Sequence, residues 1–225
     1  MPKVNSTNAD AFSLLDFSYE QSLLGQYKAI VGIDEVGRGP LAGPVTAAAV
    51  VIKNPEPLLM VNDSKTLSAK KRDTLYDLIW QNAHVAVAHA SVAEIDSLNI
   101  LQATFVAMCR AVEKLQVKLA EEGASLGDYA IIDGNKIPQE MPLPAECVVK
   151  GDAKVLSVAA ASIIAKVTRD RIMAKLAQEH PHFGWESNAG YGSKIHMDAL
   201  KEHGPTPWHR HSFAPVASAA ELHNS

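Results

Sequence analysis

Val31-Gly32-Ile33-Asp34-Glu35-Val36-Gly37-Arg38-Gly39-Pro40 is the stretch on which both the fold and the chemistry turn. The apolar run from Ala29 to Ile33 has the length of a buried strand, and it stops at two adjacent carboxylates and a glycine-arginine-glycine turn. Side chains alternate across a strand, so one of the two acids can face a cleft while its neighbour points along the rim. Gly37 and Gly39 let the backbone come close to a ligand, and Arg38 between them offers a planar fork of donors suited to phosphate. Two acids followed by a phosphate cradle is the order expected of a nuclease.

Outward from this stretch, Val45 to Ile52 is small, β-branched and apolar and predicts a second buried strand. Val85 to Ala90 predicts a third. Tyr129 to Ile132 predicts a fourth, and it ends as the first does, in an acid and a glycine, Asp133-Gly134. A fifth, Cys147 to Val149, runs into Lys150-Gly151-Asp152. In open α/β sheets ligands sit at the carboxyl ends of strands, so Asp34 and Asp133 converge if their strands are parallel neighbours.

Helices fill the intervals. Ser68 is a candidate N-cap for a helix with Leu75, Leu78 and Ile79 on its inner stripe. Residues 99 to 120 repeat apolar positions at spacings of three and four, as a core-facing helix does. Residues 155 to 180 predict a helix whose first half is small on all sides and therefore packs closely, with Asp152 at or just before its start. Asp170 lies about 27 Å further along such a helix, too far to share a site with Asp152, and is expected to pair with Arg169 or Arg171. A short helix is expected near His196 to His203, and residues 1 to 28 read as a lead-in helix or loop.

The chain has 225 residues and 47% hydrophobic content, enough for a full core. Its formal charge of −4 lends nucleic-acid binding no support, so a nucleic-acid partner must rest on local patches. Candidates are Lys65, Lys70, Lys71 and Arg72, and Lys150, Lys154, Lys166, Arg169, Arg171 and Lys175. No apolar run reaches the about 18 residues needed to span a bilayer and no signal peptide opens the chain, which points away from membranes and to the cytoplasm. Cys109 and Cys147 are in no metal or redox spacing and read as reduced, buried small hydrophobes.

Asp34, Glu35, Asp133 and Asp152 therefore form the candidate constellation. Four acids brought together repel one another unless cations neutralise them, and all-oxygen ligands suit Mg²⁺ or Mn²⁺ rather than zinc. That is the equipment of metal-assisted phosphoryl transfer. Gly37 to Ala42 formally fits a dinucleotide-binding pattern, but prolines and a β-branched run follow where a helix should. His180, His182, His209 and His211 lack cysteine partners and zinc spacing and read as surface residues. There is no nucleophile elbow and no phosphate loop ending in Gly-Lys-Ser or Gly-Lys-Thr.

Taken together, the segments Asp34 to Pro44, Asn62-Asp63-Ser64-Lys65, Ile132-Asp133-Gly134, Lys150-Gly151-Asp152, Ala159 to Asp170 and Gly190-Tyr191 resemble bacterial ribonuclease HII, in order from about residue 29 to 216. The resemblance implies a ribonuclease H-like mixed five-stranded sheet flanked by helices over residues 29 to 185, with a helical C-terminal extension over 186 to 225. It implies Mg²⁺- or Mn²⁺-dependent hydrolysis of the RNA strand of RNA/DNA hybrids by a monomer. Cutting 5′ of single ribonucleotides in duplex DNA, leaving 3′-hydroxyl and 5′-phosphate ends, is also implied. By the same resemblance Asp34, Glu35, Asp133 and Asp152 are the catalytic metal ligands. Gly37, Arg38 and Gly39 read the 2′-hydroxyl, Tyr191 stacks on the following deoxyribose, and Lys65 contacts a phosphate. The competing reading is a hybrid-binding protein without turnover, which would need no complete set of acids.

Overall fold

A computed structural model describes residues 15–59 and 69–223. The expected N-cap Ser68, the Asn62 to Lys65 segment and hence Lys65 lie outside the described residues. Five strands form one mixed sheet: β1 (Ile30–Val36), β2 (Val45–Ile52), β3 (Ala83–Ala90), β4 (Tyr129–Asp133) and β5 (Ala145–Val148), in the order β3-β2-β1-β4-β5. β1 and β2, and β2 and β3, pair antiparallel; β1 pairs parallel with β4, and β4 with β5. The helices are α1 (Ser18–Leu23), α2 (Ala69–Asn82), α3 (Val92–Leu98), α4 (Ile100–Glu121), α5 (Leu156–Glu179), α6 (Trp185–Asn188), α7 (Lys194–His203) and α8 (Ala214–His223). Among the described residues no helix is long and apolar enough to cross a membrane.

Strand alternation sorts β1 onto two cores. Val31 and Ile33 join Val45, Ala47 and Ala49 beneath α4, whose Ala107, Ala111, Val112 and Leu115 complete that side. On the other face Ala48 and Val50 pack with Leu75 and Ile79 of α2 and with Ala159 to Ala161, Ile163 and Ile164 of α5. The small residues of α5 let it approach β1 very closely at Gly32, where a Cβ would lie 2.3 Å from the carbonyl carbon of Ser157. α3 was not anticipated, although Ser91 and Glu94 make a full capping box at its start. Cys109 is buried as expected, but Cys147 is only half-buried.

The lead-in segment has a structural task. The N-terminal residues of α5 have no side-chain cap of their own, and Glu20 of α1 supplies one from 137 residues away, accepting the Ser157 N–H at 2.7 Å. Because α5 begins just after Asp152, this contact also steadies the site. Glu20→Ala should lower the unfolding free energy by about 1–2 kcal/mol, as loss of an N-terminal cap does. Glu20→Gln, which keeps an acceptor, should lose less. Equal urea midpoints for all three proteins would exclude the capping role.

Candidate active site

The parallel pairing of β1 and β4 runs through Ile33 opposite Ile132, so the next residues, Asp34 and Asp133, stand side by side at the carboxyl ends of the two central strands. Both share the face covered by α5, since Asp34 alternates with Ile33 and Asp133 with Ile132. Asp152 arrives from the short 3-10 turn Gly151–Ala153 that precedes α5. One carboxylate oxygen from each of Asp34, Asp133 and Asp152 lies within 4.8 Å of the others. Local backbone bonds hold them there: the Glu35 N–H donates to Asp34 Oδ1 at 2.7 Å, and the Gly151 N–H to Asp133 Oδ1 at 2.7 Å. Lys150, with φ 57°, adopts the left-handed conformation just before this turn, an unfavourable state for a residue with a Cβ.

Glu35 is placed differently. It points to the α4 side, where with Arg38, Asp133, Leu101, Phe105 and Lys136 it lines a cleft. Arg38 Nη1 donates to its Oε1 at 3.2 Å, while Oε2 is buried without a hydrogen-bond partner. Glu35 thus stands at the lip of the three-aspartate group rather than within it. Burial, then the nearby Glu35 and Asp133 charges, push the Asp34 carboxyl well above its ordinary range, against hydrogen bonds from Ser162 and the Glu35 N–H. Burial raises Glu35 as well, with Arg38 opposing. Converging buried carboxylates and an orphaned carboxylate oxygen fit a hard divalent cation, which prefers oxygen ligands and relieves their repulsion.

Beside the acids, Gly37 to Pro44 form the turn. Gly37 has φ +93°, and a Cβ there would lie 2.2 Å from Arg169 Nε. Its lack of a side chain therefore admits Arg169 as much as any ligand. Gly39 faces the ring of Tyr191, with 3.3 Å from an added Cβ to Tyr191 Cε1. The Leu41 N–H donates to the Gly190 carbonyl at 2.8 Å, so turn and tyrosine are joined through the backbone as well. The Arg38 side chain is 49% exposed and Tyr191 50%, leaving both accessible to a ligand.

Three expectations about neighbouring residues are corrected. Arg169 is buried rather than part of a basic patch, because its guanidinium donates to the carbonyls of Pro44, Ala42 and Ala189. Asp170 pairs with neither arginine; the Lys166 ammonium one turn earlier takes it at 2.7 Å, and Arg171 reaches Asp73. His209 is a core residue, hydrogen-bonded to His196 at 2.9 Å. The buried Arg210 beside it was not singled out by its motif at all.

Aspartates converging at adjoining parallel strand ends, on a mixed five-stranded sheet with helices on both faces, define a divalent-metal-dependent nuclease of the ribonuclease H class. The family model described as ribonuclease HII matches residues 31–216, and a ribonuclease HII of Magnetococcus marinus is 54% identical over 204 residues, covering 89% of this chain and 93% of that relative. The chain belongs to the ribonuclease HII family and is a ribonuclease H. Among solved structures, ribonuclease H2 of Pyrococcus horikoshii superposes with a TM-score of 0.67 at 28% identity, over 88% of this chain and 99% of that one. A Bst-RNase HIII solved in complex with Mn²⁺ shares the fold, with a TM-score of 0.66 at 19% identity over 100% of this chain and 77% of that one.

Proposed function

We propose that this ribonuclease H hydrolyses the RNA strand of RNA/DNA hybrids and cuts 5′ of single ribonucleotides embedded in duplex DNA. Water attacks the phosphorus and the P–O3′ bond breaks, leaving a 3′-hydroxyl and a 5′-phosphate. Asp34, Asp133 and Asp152, with Glu35 from the lip, would hold Mg²⁺ or Mn²⁺. Bound there, such ions would supply an activated water and stabilise the leaving oxygen. The chain's own part is to position the scissile phosphate against these acids.

RNA is distinguished from DNA by its 2′-hydroxyl, which needs close, short-range donors and acceptors. The Gly37-Arg38-Gly39 turn supplies backbone that can approach that closely, and Arg38 can reach the adjoining phosphate. Tyr191 offers a flat face to the next sugar, and Lys65 is the proposed phosphate contact further along. The enzyme is proposed to act as a monomer. The observation that carries the reading is the meeting of Gly39 with the Tyr191 ring beside the three-aspartate cluster.

The test is a cleavage assay on three duplexes, one with a single ribonucleotide, one a long hybrid and one all DNA, each in Mg²⁺ and in Mn²⁺. Cutting of the first two alone, with the stated ends, is expected; cutting of all-DNA duplex, or of neither substrate, counts against it. Tyr191→Ala should lower kcat/KM at the single ribonucleotide at least about tenfold, the size of a lost stacking contact. Its Mg²⁺-induced rise in melting temperature should match that of the wild type. Loss of that rise in the variant would remove Tyr191 from substrate recognition and make it a support for the metal site.

A further inference from the structure

Arg210 is fully buried and gives its guanidinium to main-chain oxygens of the turn. Nη1 donates to the Arg38 and Pro40 carbonyls at 2.9 and 2.7 Å, Nη2 to Gly37 and Gly43 at 2.5 and 2.9 Å, and Nε again to Gly43 at 3.0 Å. In a planar trans peptide the C=O and N–H point in opposite directions. Drawing the Gly37 and Arg38 carbonyls inward therefore turns the N–H groups of Arg38 and Gly39 outward, toward the side where both residues are exposed. The rigid five-donor fork makes this possible from one side chain, which a lysine's compact charge cannot imitate.

The residue before it reaches the other recognition element. His209 Nδ1 accepts the Thr206 N–H at 2.9 Å, which leaves the ring proton on Nε2 to be donated to His196 Nε2 at 2.9 Å. Trp185 Nε1 donates to the same His196 nitrogen at 3.2 Å. His196 must then carry its proton on Nδ1, and it donates this to the Tyr191 carbonyl at 2.9 Å. Burial holds His209 down to about 3 and lowers His196, so both rings stay neutral and the chain of donors keeps one direction. The segment itself is laid against the turn by a bridge between Ala42 and His209, by Gly43 N–H to the Trp208 carbonyl at 2.8 Å, and by Arg210 N–H to the Leu41 carbonyl at 2.9 Å.

Resting on the function proposed above, we infer that residues 206–210 form a specificity clasp. His209 and Arg210 are positioning residues that fix the 2′-hydroxyl-reading turn and Tyr191 relative to each other. Adjacent residues hold the two elements, so a shift at one end is transmitted to the other. The property at stake is registry across the ribose-deoxyribose junction. A long hybrid presents no such junction and depends on the clasp less.

The test compares wild type, Arg210→Lys, His196→Phe and the double variant on a duplex with one ribonucleotide and on a long hybrid, with the Mg²⁺-induced melting shift recorded for each. Each single variant is expected to keep the melting shift yet lose at least about tenfold in the ratio of kcat/KM for the single ribonucleotide to that for the long hybrid. The double variant should lose little more than either single one, because contacts in one network do not add. Equal losses on both substrates, or losses that multiply in the double variant, overturn the clasp. Should the lysine variant not fold, His196→Phe leaves Arg210 in place and its own substrate ratio alone upholds or overturns the clasp. A wild-type chain that cuts neither substrate overturns instead the activity on which the clasp rests.

Discussion

Asp34→Asn is expected to abolish cleavage, by at least about a thousandfold or roughly 4 kcal/mol of transition-state stabilisation, while making the metal-free protein more stable. The two effects share one cause. Asp34 is buried beside Glu35 and Asp133, and its carboxyl is held well above the ordinary range, first by burial and then by those charges. The folded chain thus retains a proton that the unfolded chain releases near pH 3.9. As pH rises past the unfolded value, stability is lost until the folded group also ionises. Asparagine has nothing to ionise, so the metal-free variant keeps that stability at pH 8. In the wild type a bound cation returns the stability, by about 2.7 kcal/mol at one hundred times the dissociation constant. Thermal melts at pH 5 and pH 8, with and without Mg²⁺, separate these contributions. The variant should show the higher metal-free melting temperature at pH 8 and a much smaller Mg²⁺ shift. A variant that still cleaves, or whose Mg²⁺ shift equals that of the wild type, would take Asp34 out of the metal site.

The convergence of Asp34 and Asp133 was legible in the chain because it follows from local pattern. Two apolar runs each end in an acid, and parallel pairing at equal register puts those ends together. The α5 helix was legible too, from its small residues. Asp152 was recognisable only as an acid near a helix start. Its entry depends on a left-handed Lys150 and on a helix capped from α1, neither of which leaves a periodic trace. Alternation along the strand already implied that Asp34 and Glu35 part company, one into the cleft and one to the rim, and Glu35 does stand on the opposite face, in the cleft with Arg38. The arginines were least legible. Arg169 and Arg210 bind carbonyl groups, which every residue carries, so no partner side chain betrays them. The histidines at 196 and 209 were hidden for a related reason: with neutral rings, they are satisfied by each other and by the backbone, and burial follows from that network rather than from composition.

Gly32→Ala tests how far the site depends on the approach of α5 to β1. The new methyl carbon would stand 2.3 Å from Ser157 C and 2.5 Å from Val158 N. These are backbone atoms in the first turn of a helix, so no flexible side chain can yield. Overpacking of a core costs about 1–3 kcal/mol, and a backbone obstacle belongs at the upper end. At about 3 kcal/mol the melting temperature of a chain this size should fall by about 6–12 °C. The relief must come from moving the start of α5 away from β1. That start follows directly on Asp152, and Ser162 further along bonds Asp34, so the displacement opens the aspartate cluster. Cleavage and the Mg²⁺-induced melting shift should therefore fall together with stability. Here the sign of the metal-free stability change separates the two variants: Asp34→Asn should lose activity by removing a charge and become more stable, whereas Gly32→Ala should lose it by displacing the aspartates and become less so. An unchanged urea midpoint in Gly32→Ala would mean that β1 and α5 have room to spare, and the tight seating of Asp152 could not then come from their contact.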